Sequence, residues 1–260
     1  MRRPDAAPAT MGSLRRPDAE AATSGSLLAV DLPGAAVRFS TRLGGVSEGP
    51  YESLNLGLKT GDAVERVVEN RRLLTESVGL APSVVAIGRQ VHGAEIEQWE
   101  AAPADPFTEA AAVRPEVDGH VTDLRGVGLL VQVADCLPVA LATTEQVAMV
   151  HCGWRGLAGG IVDAAVAEFD ACPTAVIGPG IGPCCFEVGP EVLAEFGDVE
   201  GAADGRLLDL RMVAEARLRA AGVERVEHVD LCTSCRDDLF FSHRRDGGVT
   251  GRQCGIVWRT

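Results

Sequence analysis

Residues 126–151 read GVGLLVQVADCLPVALATTEQVAMVH, and this stretch decides the fold class. Within it lie three apolar runs, Gly128–Val133, Pro138–Thr143 and Val147–His151, with short breaks between them. Short apolar runs rich in valine and leucine predict buried strands. A short polar turn separates the second and third runs, which predicts that they pair as neighbouring strands.

The same stretch bears on membrane association. Gln132, Asp135 and Pro138 interrupt it, so it falls short of the ~18–20 uninterrupted apolar residues that a membrane span needs. Of the 260 residues, 46% are apolar, which is enough to bury a sizeable core. The sequence therefore predicts a globular fold that contains this segment in its interior and has no membrane partner.

Helix-like segments surround the predicted strands. Val64–Val78 has apolar residues at helical spacing and is followed by Gly79, a residue type that is common at helix C-caps. Gly156–Phe169 has an apolar face, and Arg236–Phe241 is also predicted to be helical. Clustered strands with helices around them favour an α+β fold, with a mixed β-sheet core flanked by helices.

Charge and composition limit the function classes and mark a domain boundary. The formal net charge is −13, which argues against a nucleic-acid partner, because such proteins carry a basic surface. Residues 1–26 are rich in alanine, proline and charge and contain RRPDA twice. Their apolar content is too low to offset the entropy of ordering. We therefore predict a disordered tail at 1–26 and a single domain over 27–260.

The chain has eight cysteines, whose interpretation depends on the compartment. The first residues contain no apolar segment of the kind found in signal peptides, so we expect a cytoplasmic protein. In a reducing compartment, cysteines are more often ligands, nucleophiles or core residues than disulfides. Cys232 and Cys235 form a CxxC pair, but no second pair of that spacing accompanies it, so we interpret the pair as incidental.

Three residues at the predicted ends of strands are candidate metal ligands: His92, Cys136 and His151. Zinc binds imidazole nitrogen and thiolate sulfur in tetrahedral geometry, and a site with three protein ligands keeps its fourth position for water or substrate. Three aspartates are candidates for orienting an imidazole through its second nitrogen: Asp118, Asp123 and Asp135. The three residue types satisfy the requirements of a zinc site with an open position.

Two other interpretations of these residues stay open on the residues alone. His92 and His151 are compatible with hydrogen-bonded core histidines, and Cys136 with simple packing. Alternatively, Cys136 and His151 form a thiol nucleophile and its base, as in cysteine hydrolases. The second alternative needs no metal and leaves His92 as a bystander or an orienting residue.

Glycine-rich segments lie close to the candidate ligands. In HCGWRGLAGG (151–160), Arg155 stands where a strand becomes a helix, which suits a bound phosphate or carboxylate, although a tight packing turn explains the glycines equally well. GPGIGPCC (178–185) superficially resembles a dinucleotide fingerprint, but Pro183 intervenes before any helix, so we exclude a Rossmann site. In the same loop, Cys184 and Cys185 are candidates for the wall of the active site.

Seven motifs, in order from about Arg38 to Trp258, together resemble one family: TRLGGVSEGPYESLNLG, QVHG, DGHVT, ADCLPV, HCGWRGLAGGIV, GPGIGPCCFEVG and SHRRDGGVTGRQ. They are similar to the laccase-domain family, once called multicopper polyphenol oxidases. Bacterial members are also called purine nucleoside phosphorylases or peptidoglycan editing factors. The resemblance covers essentially the whole chain beyond the tail.

The resemblance implies a zinc-dependent enzyme that uses phosphate to phosphorolyse adenosine, inosine, guanosine and methylthioadenosine, and that also deaminates adenosine. It assigns the metal ligands to His92, Cys136 and His151. It further implies an α/β sandwich shared with toxin-type cysteine deamidases. The alternatives are a cysteine hydrolase or deamidase that uses Cys136 and His151, and a factor that edits peptidoglycan precursors.

The histidine count argues against the oxidase name. A multicopper oxidase needs several copper ions with clustered imidazole ligands. This chain has five histidines and no His-x-His pair. For phosphorolysis, we expect Arg155, with Arg42 or Arg244, to neutralise phosphate, and Asn55 and Gln90 to orient the sugar or the base. The aromatic residues that are candidates for stacking on a purine are Tyr51, Trp154 and Phe186.

Overall fold

The computed structural model describes residues 14–15 and 25–260. The predicted disordered tail at 1–26 therefore lies almost wholly outside the described residues and stays a prediction. The described part confirms the predicted α+β class, because two β-sheets pack face to face and helices cover their outer faces.

The secondary structure of the described residues is dominated by strands. The strands are β1 (Leu14–Arg15), β2 (Leu27–Leu32), β3 (Ala35–Ser40), β4 (Val85–Ile87), β5 (Ile96–Gln98), β6 (Gly119–Thr122), β7 (Gly128–Val133), β8 (Leu137–Ala142), β9 (Val147–Cys152), β10 (Thr174–Ile177), β11 (Ala203–Asp204), β12 (Leu207–Leu208), β13 (Arg225–His228) and β14 (Gln253–Arg259). The helices are α1 (Val64–Val78), α2 (Trp154–Ala158), α3 (Ile161–Ala167), α4 (Pro190–Ala194) and α5 (Leu210–Ala220).

Both large sheets are mixed. The larger sheet has the strand order β1-β13-β10-β8-β9-β6-β5, and its central pairs, β10 with β8, β8 with β9 and β9 with β6, are antiparallel. The second sheet has the order β2-β3-β14-β7-β4, and only β4 runs parallel to its neighbour β7. The predicted mixed β-sheet core is confirmed, and it is divided into two large sheets because the chain crosses from the second sheet to the larger one between β7 and β8. Strands β11 and β12 form a separate two-stranded sheet.

The core between the sheets follows from the alternation of side chains along each strand. In β8, Ala140 faces the second sheet, whereas Val139 and Leu141 face the helices on the other side. Phe39 of β3 and Val131 of β7 fill the space opposite Ala140. Each fully buried side chain of this kind contributes ~1.5–3 kcal/mol relative to an exposed one.

The outer layers consist of amphipathic helices. Ile161 of α3 and Leu218 of α5 pack on the outer face of the larger sheet, and Leu74 of α1 packs against Ile256 on the outer face of the second sheet. Within the described part of the chain, no helix is long and apolar enough to cross a membrane.

The prediction for α1 is confirmed in both bounds, and Gly79 closes the helix with a left-handed φ of 71°. The single helix predicted at 156–169 is wrong. The chain forms α2 and α3 instead, because Gly160 adopts a left-handed φ of 84° between them. The helix predicted at 236–241 is also wrong. The segment forms successive turns, and Phe240 and Phe241 both point into the interior.

Candidate metal centre

His92, Cys136 and His151 meet at one end of the two sheets. One ligand atom from each residue lies within 4.8 Å of the others. The two imidazole rings have centroids 4.8 Å apart and planes inclined by 72°, so neither ring stacks on the other. His151 is 3% exposed, whereas Cys136 is partly exposed and His92 is exposed, which leaves the group accessible from one side.

The connections between the sheets explain why these residues converge. His92 lies in the segment that leads from β4 in the second sheet to β5 in the larger one, and Cys136 lies in the segment between β7 and β8, which makes the same crossing. His151 is near the end of β9 and is paired with Pro138 of β8. Two crossings and one strand end therefore bring the three ligand atoms together.

Asp118 holds the two histidines in place. Its carboxylate accepts hydrogen bonds from the backbone amides of Val91 (2.9 Å), His92 (3.0 Å) and Gly93 (2.8 Å). These bonds support the left-handed φ of 63° at His92, an uncommon conformation outside glycine. Asp118 also lies 2.7 Å from Nδ1 of His151, so that ring donates through Nδ1 and presents Nε2 to the site. Among the three predicted aspartates, Asp118 is the one that orients an imidazole.

Cys136 and His151 shift each other's pKa in opposite directions. Burial by itself raises the pKa of the Cys136 thiol, but His151 and His92 outweigh it and lower the pKa to about 6. Burial also opposes the protonated form of His151, but Cys136 and Asp118 raise its pKa to about 9. A thiolate both binds metals and attacks as a nucleophile, so this pair fits a metal ligand set and a cysteine hydrolase alike.

The backbone of Gly153 passes close to two of the candidate ligands. A Cβ atom at this position would lie 3.1 Å from Sγ of Cys136 and 3.1 Å from Cδ2 of His92. The turn between β9 and α2 therefore passes too close to two of the candidate ligands to carry a side chain without displacing them. This is the physical reason for a glycine directly after HC in HCGW.

The predicted phosphate-binding arginines lie on different segments. Arg155 is exposed in the five-residue helix α2, and its guanidinium stacks on Trp154 at 4.3 Å. Arg42 donates to the backbone oxygens of Glu52 (2.6 Å) and Asp237 (3.1 Å).

Arg244 connects the site to a neighbouring loop. Its backbone amide donates to Asp135 at 2.7 Å, and its guanidinium donates to the backbone oxygen of Glu187 at 2.7 Å. The same guanidinium lies 5.3 Å from the ring of Phe186, so Arg244 and this aromatic residue form one surface.

Asn55 and Gln90 make their hydrogen bonds within the protein. The Oδ1 atom of Asn55 accepts from the amides of Gly57 and Arg252, both at 2.9 Å, and Asn55 is fully buried. The side chain of Gln90 donates to the backbone oxygen of Gln132 (2.7 Å) and accepts from its amide (2.8 Å). Both residues therefore anchor segments beside the site.

Two residues that the sequence does not single out as site residues also contribute to the site's electrostatics and shape. Arg252 interacts electrostatically with Cys136 and with Asp135, which partly offsets the lowering of the arginine pKa by burial. Thr233 donates its hydroxyl to Asp135 at 2.7 Å. The signal for Arg252 was its position in the motif SHRRDGGVTGRQ, whereas nothing local in the sequence marks Thr233.

Known proteins are similar to this chain over most of its length. The family model described as multi-copper polyphenol oxidoreductase laccase matches residues 36–260. The chain is 38% identical over 238 residues to the purine nucleoside phosphorylase YfiH of Shigella flexneri, covering 86% of this chain and 94% of that protein. It is 36% identical over 249 residues to the purine nucleoside phosphorylase YlmD of Geobacillus stearothermophilus, covering 87% of this chain and 90% of that protein.

Solved structures show the same fold. The crystal structure of YlmD from Geobacillus stearothermophilus superimposes with a TM-score of 0.84 at 34% identity, covering 91% of this chain and 97% of that one. The crystal structure of the Bacillus licheniformis protein YfiH gives a TM-score of 0.86 at 30% identity, covering 92% of this chain and 98% of that one. The two-sheet architecture is therefore shared with these proteins.

Proposed function

We propose that this chain, which belongs to the multi-copper polyphenol oxidoreductase laccase family, is a zinc-dependent purine nucleoside phosphorylase that acts on small nucleosides in the cytoplasm. The observation that carries the proposal is the convergence of His92, Cys136 and His151 at one accessible end of the sheets. Relatives named purine nucleoside phosphorylase, at 36–38% identity over most of the chain, support the reaction class.

The donor set fits zinc. Two imidazole nitrogens and one thiolate are ligands that zinc accepts, and three protein ligands leave one coordination position open. The low pKa of Cys136 favours the thiolate, and Asp118 orients the ring of His151, which would give up a proton from Nε2 on binding the metal. When bound, zinc supplies a Lewis acid at its open position.

The remaining side chains serve the two reactants. In phosphorolysis, a phosphate oxygen bonds to C1′ of the ribose as the bond between C1′ and the purine nitrogen breaks, and the departing purine takes up a proton. We assign charge neutralisation of phosphate to Arg155, with Arg42 or Arg244. Asn55 and Gln90 act on the substrate indirectly, because their hydrogen bonds hold the segments that border the site.

The substrate range is also part of the proposal. We expect adenosine, inosine, guanosine and methylthioadenosine to be phosphorolysed, and adenosine to be deaminated as a second activity. The purine would stack on one of three partly buried aromatic side chains near the arginines: Tyr51, Trp154 or Phe186.

The experiment is a screen of these nucleosides with inorganic phosphate, read by the free base released. His92→Ala should lose one bound zinc ion per chain together with turnover, because the site is left with two protein ligands. Asp123→Asn is the matched control, since that exposed side chain lies outside the ligand group. If His92→Ala keeps both its zinc and its turnover, the three-ligand site is wrong.

One observation favours a second candidate function. Cys136 and His151 lie together, and His151 lowers the pKa of the Cys136 thiol, which is the arrangement that a cysteine hydrolase or deamidase needs. That enzyme would keep its activity after chelation of metal and lose it on alkylation of Cys136. The proposed phosphorylase should instead lose activity on chelation and regain it when zinc is added back.

A further inference from the structure

A second sulfur-rich cluster shares no residue with the candidate metal centre. The Sγ atoms of Cys184, Cys185, Cys232 and Cys235 lie within 4.8 Å of one another. Sγ of Cys235 is 3.4 Å from Sγ of Cys184 and 3.4 Å from Sγ of Cys185. From the sequence alone, the CxxC pair is interpreted as incidental, because no second pair of that spacing accompanies it. The structure supplies that second pair from a loop about 50 residues earlier in the chain.

The sheet topology explains the convergence. β10 and β13 are neighbouring parallel strands, so both end on the same side of the sheet, and the segments that follow them start next to each other. Cys184 and Cys185 lie on the segment after β10, and Cys232 and Cys235 on the segment after β13. An isolated bridge between Gly180 and Cys232 continues the parallel pairing beyond the strands. The backbone thus holds the two cysteine pairs face to face.

We propose that Cys184, Cys185, Cys232 and Cys235 form a second metal site, which holds one structural zinc ion. In a regular tetrahedron with Zn–S bonds of ~2.3 Å, the sulfurs are ~3.8 Å apart. The observed separations, from 3.4 Å up to at most 4.8 Å, bracket that value. The four sulfurs are therefore close to the spacing of a tetrahedral site.

The donor set specifies the kind of metal and its role. Four thiolates suit zinc, and a site with four protein ligands has no open position, which is the signature of a structural site. A polynuclear iron–sulfur cluster would hold its thiolates on separate iron ions, further apart than a single ion holds them. The backbone amide of Gly182 already donates to Sγ of Cys232 at 3.2 Å, a contact that favours the thiolate.

Neither hydrophobic burial nor disulfide bonding accounts for this cluster. Cys184 and Cys235 are exposed, and the other two cysteines are partly exposed, so the sulfurs gain little by gathering as apolar groups. A disulfide has an S–S distance of ~2.05 Å, well below the observed 3.4 Å. A cation that binds all four sulfurs accounts for their approach at the surface.

A metal at this second site would also stabilise the segment that carries Cys136. Thr233, between the two cysteines of the CxxC pair, donates its hydroxyl to Asp135 at 2.7 Å, and the amide of Ile181 donates to the backbone oxygen of Asp135 at 2.8 Å. Asp135 has a left-handed φ of 94° and directly precedes Cys136. A metal that fixes both loops therefore also fixes the segment that presents the catalytic-site thiol.

The test is the metal content of purified variants, measured by elemental mass spectrometry. Wild-type protein should carry two zinc ions per chain, and the double variant Cys232→Ser/Cys235→Ser should carry one. His92→Ala should also carry one, but from the other site. Cys172→Ser is the matched control, because Cys172 is exposed and precedes β10, whereas Cys184 and Cys185 follow that strand, and the variant should keep two.

Cobalt distinguishes the two sites spectroscopically. His92→Ala loaded with Co²⁺ should show the intense sulfur-to-cobalt charge-transfer bands of a tetrathiolate site, and the double cysteine variant should show only the weaker bands of a site with one thiolate. If His92→Ala binds no Co²⁺, or if its spectrum lacks tetrathiolate bands, the proposal is wrong. Either result leaves the phosphorylase assay of the wild type unaffected, so the two proposals fail independently.

A measurement on the wild type covers the case in which the double variant does not fold. Alkylation of the native protein, mapped by peptide mass spectrometry, should label Cys172 at once and the four clustered cysteines only after a chelator is added. Labelling of the four without chelator would overturn the proposal. The proposal would also be overturned if the four cysteines resist alkylation until a reductant alone is added, because that result would identify disulfides.

Discussion

Asp118 shows how one buried residue can build a site without being a ligand. Its fully buried carboxylate accepts hydrogen bonds from three backbone amides and from one imidazole nitrogen. Burial raises its pKa, but the bonds from His151 and from the amides outweigh burial and hold the pKa below its usual value. The residue therefore stays ionised and continues to orient His92 and His151.

Asp118→Asn tests this positioning role. An asparagine offers one acceptor atom and one donor group, so it cannot accept all four bonds, and the orientation of His151 is lost. We expect zinc affinity and kcat to fall by ~10–100-fold. The measurements are zinc titration against a competing chelator and nucleoside phosphorolysis. Asp123→Asn should match the wild type, and an unchanged zinc affinity in Asp118→Asn would contradict the role.

Gly153→Ala tests how tightly the turn encloses the ligands. The added Cβ would press on Cys136 and His92 at 3.1 Å, so both ligands must shift by a few tenths of an ångström. We expect zinc to bind roughly tenfold more weakly, with little change in the unfolding temperature of the metal-free protein. Gly197→Ala is the control, because its nearest heavy atom would be 3.9 Å away. Equal affinities in both variants would refute the steric argument.

Strand β6 places a titratable side chain, that of His120, in the core. His120 is fully buried, and its Nδ1 accepts a hydrogen bond from Nε1 of Trp99 at 3.2 Å. Burial lowers the pKa of His120 to about 4, with a smaller opposing effect from Asp118. Burial therefore favours a neutral imidazole, whose Nε2 is buried without a hydrogen-bond partner among the described residues.

This burial predicts a pH dependence of folding. Between pH 4 and about 6.5 the unfolded chain binds a proton at His120 that the folded chain does not, so the free energy of unfolding falls as pH falls. The contribution reaches about 3 kcal/mol at the lower end of the window. It is absent above pH ~6.5, where both states are neutral.

His120→Gln isolates the effect. Glutamine keeps an acceptor for Trp99 but has no group that titrates in this window, so the variant should lose stability less steeply between pH 6.5 and 4.5 than the wild type. The measurement is urea unfolding in the presence of a chelator, which removes any contribution of zinc. Identical slopes in the two proteins would assign the pH dependence to other groups.

The packing of the two sheets can be tested at the scale of the whole molecule. Gly178, just after β10, lies directly against Phe39 of the second sheet, and a Cβ there would come within 2.3 Å of the ring. Gly178→Ala should therefore lower the free energy of unfolding by about 1–3 kcal/mol through overpacking. In a Phe39→Leu background the same substitution should cost less. A penalty of equal size in both backgrounds would place the strain elsewhere.

The sequence predicts the elements of this molecule better than their arrangement. The limits of α1 and β7 follow from the spacing of apolar residues and from the flanking glycines, which are local properties. The break between α2 and α3 was missed because glycines at 159 and 160 are compatible with a continuous amphipathic pattern. The assignment of each strand to one of the two large sheets does not follow from the pattern, since periodicity reports that a strand is buried but not which strand lies beside it.

By itself, the sequence determined the fold class and the strand content, because residue type and short-range pattern carry that information, and it marked His92, Cys136 and His151 as candidate ligands through the family motifs around them. Tertiary structure alone decided that Asp118 orients His151, and that the cysteines at 184–185 meet those at 232 and 235. Both results depend on strand order and on parallel or antiparallel pairing. These are long-range properties that arise when the sheets pack, because only burial of the whole core selects one arrangement among those that the local pattern allows.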